Sequence, residues 1–164
     1  MIFRGLVWRH VPRGAHPLHV GFILKASGRW NRPGRYGCLY TSLSPDGALA
    51  EYRKYLVRAG LGGTHQPRDL VSIEVSRIQP VLDLTQEEEL ARLHVTTQIL
   101  TGDDPEDLEA CLTLADWARS QGYQGLLVPS VAAHDAVNLI IYIDGPAENL
   151  DFTDGPDRIA LEST

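Results

Sequence analysis

A chain of 164 residues, 43% hydrophobic and 22% charged, has the size and balance of one folded domain that buries a core without disulfides or a structural metal. Its net charge of -6 excludes general nucleic-acid binding, which needs a basic footprint to neutralise phosphates. There is no basic start followed by an apolar segment and no apolar run near the roughly 18 residues of a bilayer span, so a soluble, unexported protein is expected.

In chain order, Met1 to His10 is apolar around Val7 and Trp8 and reads as an opening strand, left at Val11 to Gly14; His16, Pro17 and His19 follow in an irregular segment. Gly37 to Thr41 is a short apolar strand bounded by a turn cluster from Ser42 to Gly47. Ser44 as N-cap and Pro45 at the first helical position predict a helix whose inner face carries Ala48, Glu51, Tyr52 and Tyr55, stopped by Gly60. Leu61 to Asp69 reads as a loop, Leu70 to Val75 and Pro80 to Leu84 as strands. Thr85 with Glu88 forms a capping box for a helix reaching about Leu93. Asp103 to Asp107 opens a further helix with Leu108, Leu112, Ala115, Trp117 and Ala118 on its apolar face, stopped by Gly122. Gly125 to Ser130 and Ala136 to Ile143 read as a hairpin across the loop from Val131 to Asp135. The acidic tail after Gly145 is either an edge segment or a frayed end. Strands and helices do not alternate regularly, so the expected class is α+β: one compact domain over 1–164 with mixed or antiparallel sheets and flanking helices.

Charge is unevenly placed. Arg4, Arg9, Arg13, Lys25, Arg29, Arg32 and Arg35 all precede the first carboxylate, Asp46, and every one of the 21 acids follows. In a single domain this predicts a positive cleft on an acidic body, suited to a small anion. Ser27 to Gly37 (SGRWNRPGRYG) joins Arg29, Arg32 and Arg35 to Trp30 and Tyr36 in a glycine-rich loop whose side chains are free to hold a ligand. It matches neither a dinucleotide-binding nor a P-loop glycine pattern. Cys38 and Cys111 stand far apart outside any paired motif, giving neither a zinc site nor a disulfide framework, as expected in a reducing cytoplasm.

Glu51 is the informative carboxylate, because it shares a helix face with Ala48 and Tyr55 and so sits on the border of the buried stripe. The bland reading is a boundary glutamate paired with Arg53 or Lys54. Against it, arginine, tyrosine and glutamate fall in one strand-and-helix unit. Together they suit a dinucleotide cleaved at a glycosidic bond: a fork for pyrophosphate, an aromatic face for a flat ring, a carboxylate for ribose hydroxyls or positive charge. Ser130 with His134 and Asp135 does not read as a triad, since the nucleophile elbow is missing and such near neighbours do not converge. Asn138 opens an apolar strand and needs a partner if buried. His10, His16 and His19 have no acid or cysteine nearby to complete a metal site.

GRWNRPG (Gly28 to Gly34), LYTS (Leu39 to Ser42), ALAEY (Ala48 to Tyr52) and LLVPSVAAHDAVNLII (Leu126 to Ile141), with VWR ending on Arg9, resemble the RES domain, named for its Arg, Glu and Ser. The resemblance covers nearly the whole chain and implies an ADP-ribosyltransferase-like α+β fold acting on NAD as substrate, without a metal or prosthetic group. Its signature residues fall on Arg29, Glu51 and Ser130; Arg9, Tyr40 and Asn138 match further pocket positions. The resemblance makes Glu51, Arg9 and Tyr40 the catalytic set and Arg29, Ser130 and Asn138 the substrate-binding set. Arg32 departs from the pattern, standing where a proline is usual. RES proteins are toxins of RES–Xre toxin–antitoxin modules, so the implied partner is an Xre-type helix-turn-helix antitoxin covering the active site in a hetero-oligomer, with no direct nucleic-acid or membrane contact. Phosphate, water or a protein side chain remains open as ADP-ribose acceptor, and the runner-up activity is protein ADP-ribosylation. A non-catalytic NAD or ADP-ribose binder is the alternative class.

Overall fold

The computed structural model describes residues 1–20, 28–58 and 67–161. The expected stop at Gly60, most of the loop from Leu61, and Lys25 and Ser27 lie outside them. Val7 and Val11 are fully buried between more open neighbours, the period-two mark of a strand, and Phe3–Pro12 forms β1. Cys38–Ser42 is β2 and Pro45–Arg58 is α1. The Ser44 hydroxyl accepts the Gly47 amide at 3.0 Å, while Pro45 occupies the turn where no amide partner exists. Arg68–Ile78 (β3), Val81–Asp83 (β4), Glu87–Arg92 (α2), Thr97–Thr101 (α3), Pro105–Ser120 (α4), Gly125–Pro129 (β5), Val137–Tyr142 (β6) and Leu150–Leu161 (β7) follow.

Three local outcomes differ from the sequence expectation. Asp83 takes both the amide (3.0 Å) and the hydroxyl (2.5 Å) of Thr85 in a side-chain turn, so the capping box does not form and Gln86 is the N-cap of α2. Thr96 caps the unforeseen α3 by accepting the Ile99 amide at 3.2 Å; with five residues, α3 is too short to show a period. β3 begins at Arg68, inside the expected loop, because it pairs with β1 from Pro12↔Arg68 onward. The tail resolves as an edge strand: β7 pairs with β3 from Arg68↔Leu161 to Ile78↔Leu150.

The strands form one mixed sheet in the order β4-β5-β6-β2-β1-β3-β7, antiparallel except for β4 beside β5. β5 and β6 make the expected hairpin. β1 and β2 share a single register pair, Trp8↔Ser42, and there the sheet bends. Its two halves face each other across a core of Val7, Ile73, Val75 and Ile78 from one side and Leu39, Leu127, Leu139 and Ile141 from the other. Reciprocal backbone bonds between Met1 and Val81, at 2.8 and 3.0 Å, close the far end. Alternate residues of the same strands, Leu126, Val128, Ile140 and Tyr142, face outward onto Leu100, Cys111, Leu114 and Ala118. Burial on both faces explains why β5 and β6 read as continuous apolar runs. α1 packs Ala48 and Tyr52 onto Trp8, Leu70 and Leu161. Among the described residues no helix is long and apolar enough to cross a membrane.

Candidate active site

The bend between β1 and β2 holds a cavity of about 1190 Å³. β1 contributes Arg9 and His10 to its wall, β2 contributes Tyr40 and Thr41, α1 contributes Glu51, and β6 contributes Asn138. Its charged lining is Arg9, Arg29, Lys54 and Arg68 against Glu51 and Asp103, the positive cleft that the charge asymmetry predicts. Two of those cations, Lys54 and Arg68, come from beyond Asp46.

Glu51 is half-buried, with the sealed Ala48 and Tyr52 beside it. Its Oε1 accepts the Ser130 hydroxyl at 3.0 Å and the Asn138 side-chain amide at 2.9 Å. Ser130, 7% exposed at the end of β5, in turn accepts the amides of Ala132 and Ala133 at 3.1 and 3.2 Å. Asn138 lies opposite Ser42 in the β2–β6 register, and the Ser42 hydroxyl donates to its Oδ1 at 2.9 Å, which fixes the direction of the amide. Among the described residues Oε2 of Glu51 has no hydrogen-bond partner, so one oxygen is anchored and the other remains for a ligand. Asn138 thus finds the partner its position demands, and it is Glu51. His134 and Asp135 pair with each other at 3.3 Å while almost fully exposed, away from Ser130, so no triad forms.

The arginine loop is held more tightly than its glycine content suggests. Trp30 and Asn31 are buried, and Tyr40 locks them: its hydroxyl accepts the Trp30 amide at 3.0 Å and donates to Asn31 Oδ1 at 2.6 Å. Gly28 packs so closely on this hydroxyl that a Cβ there would collide with it. Enclosure of the hydroxyl raises its pKa well above the tyrosine range, so it stays protonated, while the residue as a whole is 39% exposed along the cavity. Arg29 donates to the Gly102 carbonyl at 2.7 Å and to Asp103 at 3.3 Å. Arg32 turns from the cavity to Asp116 at 2.7 Å and Glu109 at 2.8 Å, and the Tyr36 hydroxyl joins Asp116 at 2.9 Å. The three loop arginines, indistinguishable by pattern, are therefore separated by the fold: Arg29 lines the cavity, Arg32 staples the loop to α4, and Arg35 is exposed.

On the opposite wall Arg9 donates to the carbonyls of Pro17 and His19 at 2.9 and 2.7 Å. Burial, with Arg68 nearby, lowers its pKa to about 10, so it remains charged near neutrality. His10 accepts Arg68 Nε on Nδ1 at 2.7 Å, and its ring packs on Tyr52 and Tyr55. Burial first, then Arg68 and Arg9, lowers the His10 pKa to about 3. Sequence reasoning missed Arg68 entirely. Lys54 and Tyr55 were legible as the next positions on the Glu51 helix face; Arg68 follows a polar loop and gave no periodic signal. Both cysteines are buried and free, and among the described residues no His, Cys, Asp and Glu cluster is placed to hold a metal.

Compared with known proteins, the family model of the RES domain matches residues 6–159. In fold the chain is similar to a chain of the crystal structure of the M. tuberculosis MbcT–MbcA toxin–antitoxin complex, with a TM-score of 0.79 and 19% identity over 97% of this chain and 85% of that one. No curated protein matches the sequence.

Proposed function

The chain belongs to the RES-domain family, and on that premise we propose that it cleaves NAD at the nicotinamide–ribose bond and acts as the toxin of a toxin–antitoxin pair. The observation that carries the reading is the Glu51 carboxylate, anchored through Oε1 by Ser130 and Asn138 with Oε2 free of protein partners among the described residues.

In this reaction the bond from ribose C1 to the nicotinamide nitrogen breaks, and its electron pair returns to the pyridinium ring, which leaves neutral. Positive charge builds on the ribose as an oxocarbenium-like centre. Glu51 stabilises that charge and orients the ribose hydroxyls, and because its carboxylate is held before the substrate arrives, little reorganisation accompanies the step. The oxygen of phosphate or water then attacks C1 and releases a proton to solvent, giving ADP-ribose or its phosphate ester. The open flank of Tyr40 supports the nicotinamide ring, Arg9 and Arg29 hold the pyrophosphate or ribose, and Asn138 and Ser130 act through Glu51. Ser130 is a positioning residue in this scheme, since its hydroxyl is already committed to Glu51 and two loop amides.

The fold shared with a chain of a toxin–antitoxin complex supports an antitoxin partner. We assign this partner to the Xre-type helix-turn-helix class, which covers the cavity and supplies the DNA binding that an acidic chain lacks. The test is nicotinamide release from NAD by purified, antitoxin-free protein, with and without inorganic phosphate, with the ADP-ribose product followed by mass. Glu51→Gln keeps an oxygen for Ser130 and Asn138 but loses the charge; release is expected to fall by about a hundredfold or more while NAD still binds. NAD consumption at the parent rate by that variant refutes the role of Glu51, and binding without any release by the parent refutes the reaction.

A further inference from the structure

Among the described cations, two sets stand out. Arg13, Arg29, Arg32, Arg92, Arg119 and Arg158 each face a carboxylate. Arg9, Lys54 and Arg68, all lining the cavity, form no ion pair with any described carboxylate. Arg68 is close enough to Arg9 to lower its proton affinity, and both are partly desolvated. Two like charges held together without a counter-ion cost stability, and an anion between them removes that cost.

Arg68 is also braced rather than loose. Its Nε donates to His10 Nδ1 at 2.7 Å, its Nη2 reaches the His10 carbonyl at 3.4 Å, and its guanidinium sits 5.1 Å from the Tyr55 ring centroid. Among the described residues its Nη1 has no hydrogen-bond partner. Because His10 accepts on Nδ1, its proton resides on Nε2, and the ring serves Arg68 as a neutral acceptor. Lys54 and Tyr55 lie one turn of α1, about 5.4 Å, beyond Glu51.

We propose that Arg68, braced by His10 and Tyr55 and acting with Arg9 and Lys54, binds a phosphate group in the cavity beside Glu51. A braced guanidinium offers a fork to two phosphate oxygens, and the lysine adds a mobile point charge. The phosphate is either the pyrophosphate of the dinucleotide or free inorganic phosphate about to attack ribose C1. Its part in turnover rests on the NAD-cleaving reading; the anion binding does not.

The experiment titrates inorganic phosphate into antitoxin-free protein by calorimetry and, separately, measures nicotinamide release against NAD, phosphate and nicotinamide riboside, which lacks the pyrophosphate. Arg68→Gln is expected to weaken phosphate or NAD binding by about tenfold or more, the loss of a charge-assisted fork. A raised KM for phosphate alone identifies the co-substrate; a raised KM for NAD with unchanged cleavage of the riboside identifies the pyrophosphate. Arg68→Lys restores charge without the brace and is expected to recover part of the affinity, which a purely packing role for Arg68 does not allow. Lys54→Ala, on a half-buried helix position, guards against a folding defect in Arg68→Gln. Unchanged affinity for both inorganic phosphate and NAD in Arg68→Gln and Lys54→Ala overturns the proposal. A parent protein that binds phosphate but never releases nicotinamide refutes the NAD reaction alone.

Discussion

Ser130→Ala asks whether the serine works through Glu51 or on substrate. The substitution removes a hydrogen bond to a charged acceptor, about 1.5–3 kcal/mol, and strips two loop amides of their acceptor. Residues 131–133 are half-buried, so water reaches those amides, and the bond to Glu51 dominates the loss. The net cost is about 2–3 kcal/mol. For a chain of this length each kcal/mol moves the unfolding midpoint by about 2–4 °C, so the midpoint falls by roughly 4–12 °C. Glu51 keeps its bond to Asn138 but loses half its anchoring, and misplacement of this kind slows nicotinamide release by up to about a hundredfold. Combining Ser130→Ala with Glu51→Gln decides the route: if the serine acts through the glutamate, the double variant is no slower than Glu51→Gln alone. Thermal denaturation and chromatographic assay of nicotinamide on the four proteins suffice. Additive losses of rate place Ser130 on the substrate and refute the positioning role; parent stability and parent rate in Ser130→Ala refute the network itself.

His10 carries a pH prediction. Its folded pKa of about 3 lies below the ordinary histidine value of 6.5, so through that interval the unfolded chain binds a proton that the folded one does not. Stability therefore falls as pH drops from about 6.5 towards 3, and in urea denaturation across this range His10→Phe, which keeps a ring against Tyr52 and Tyr55, shows a shallower decline. Tyr40→Phe removes the acceptor of the Trp30 amide and the donor to Asn31, and is expected to cost about 1–3 kcal/mol in urea denaturation, read by tryptophan fluorescence. A parent-like midpoint for Tyr40→Phe removes the tyrosine as the lock of the arginine loop.

Periodicity carried most of the fold. The Ser44–Pro45 start of α1, the β5–β6 hairpin and α4 with its inward Ala115 and Ala118 were legible because each element declares itself through neighbours a few residues away. The failures have two causes. Thr85 turned back to Asp83, a side-chain turn two residues away that outcompetes the capping box, whereas Arg68 joined β3 because β1 lay alongside it, a partner no local window shows.

The same division runs through the site. Helix position marked Glu51, the resemblance to the RES domain marked Arg29, Ser130, Tyr40, Arg9 and Asn138, and the charge imbalance announced a positive cleft. Which oxygen of Glu51 is anchored, why Ser130 faces the carboxylate, and which of three similar arginines reaches the cavity were decided only when β2, β6 and α1 came together. Arg32 shows the reason: its guanidinium has the same intrinsic preference for an anion as that of Arg29, and the acids of α4, 77 and 84 residues away in sequence, claim it first. Local chemistry determines what a side chain can bind. Tertiary contacts determine which of its possible partners arrives, because hydrogen bonds and ion pairs fall off within a few ångströms and the chain path alone sets those distances.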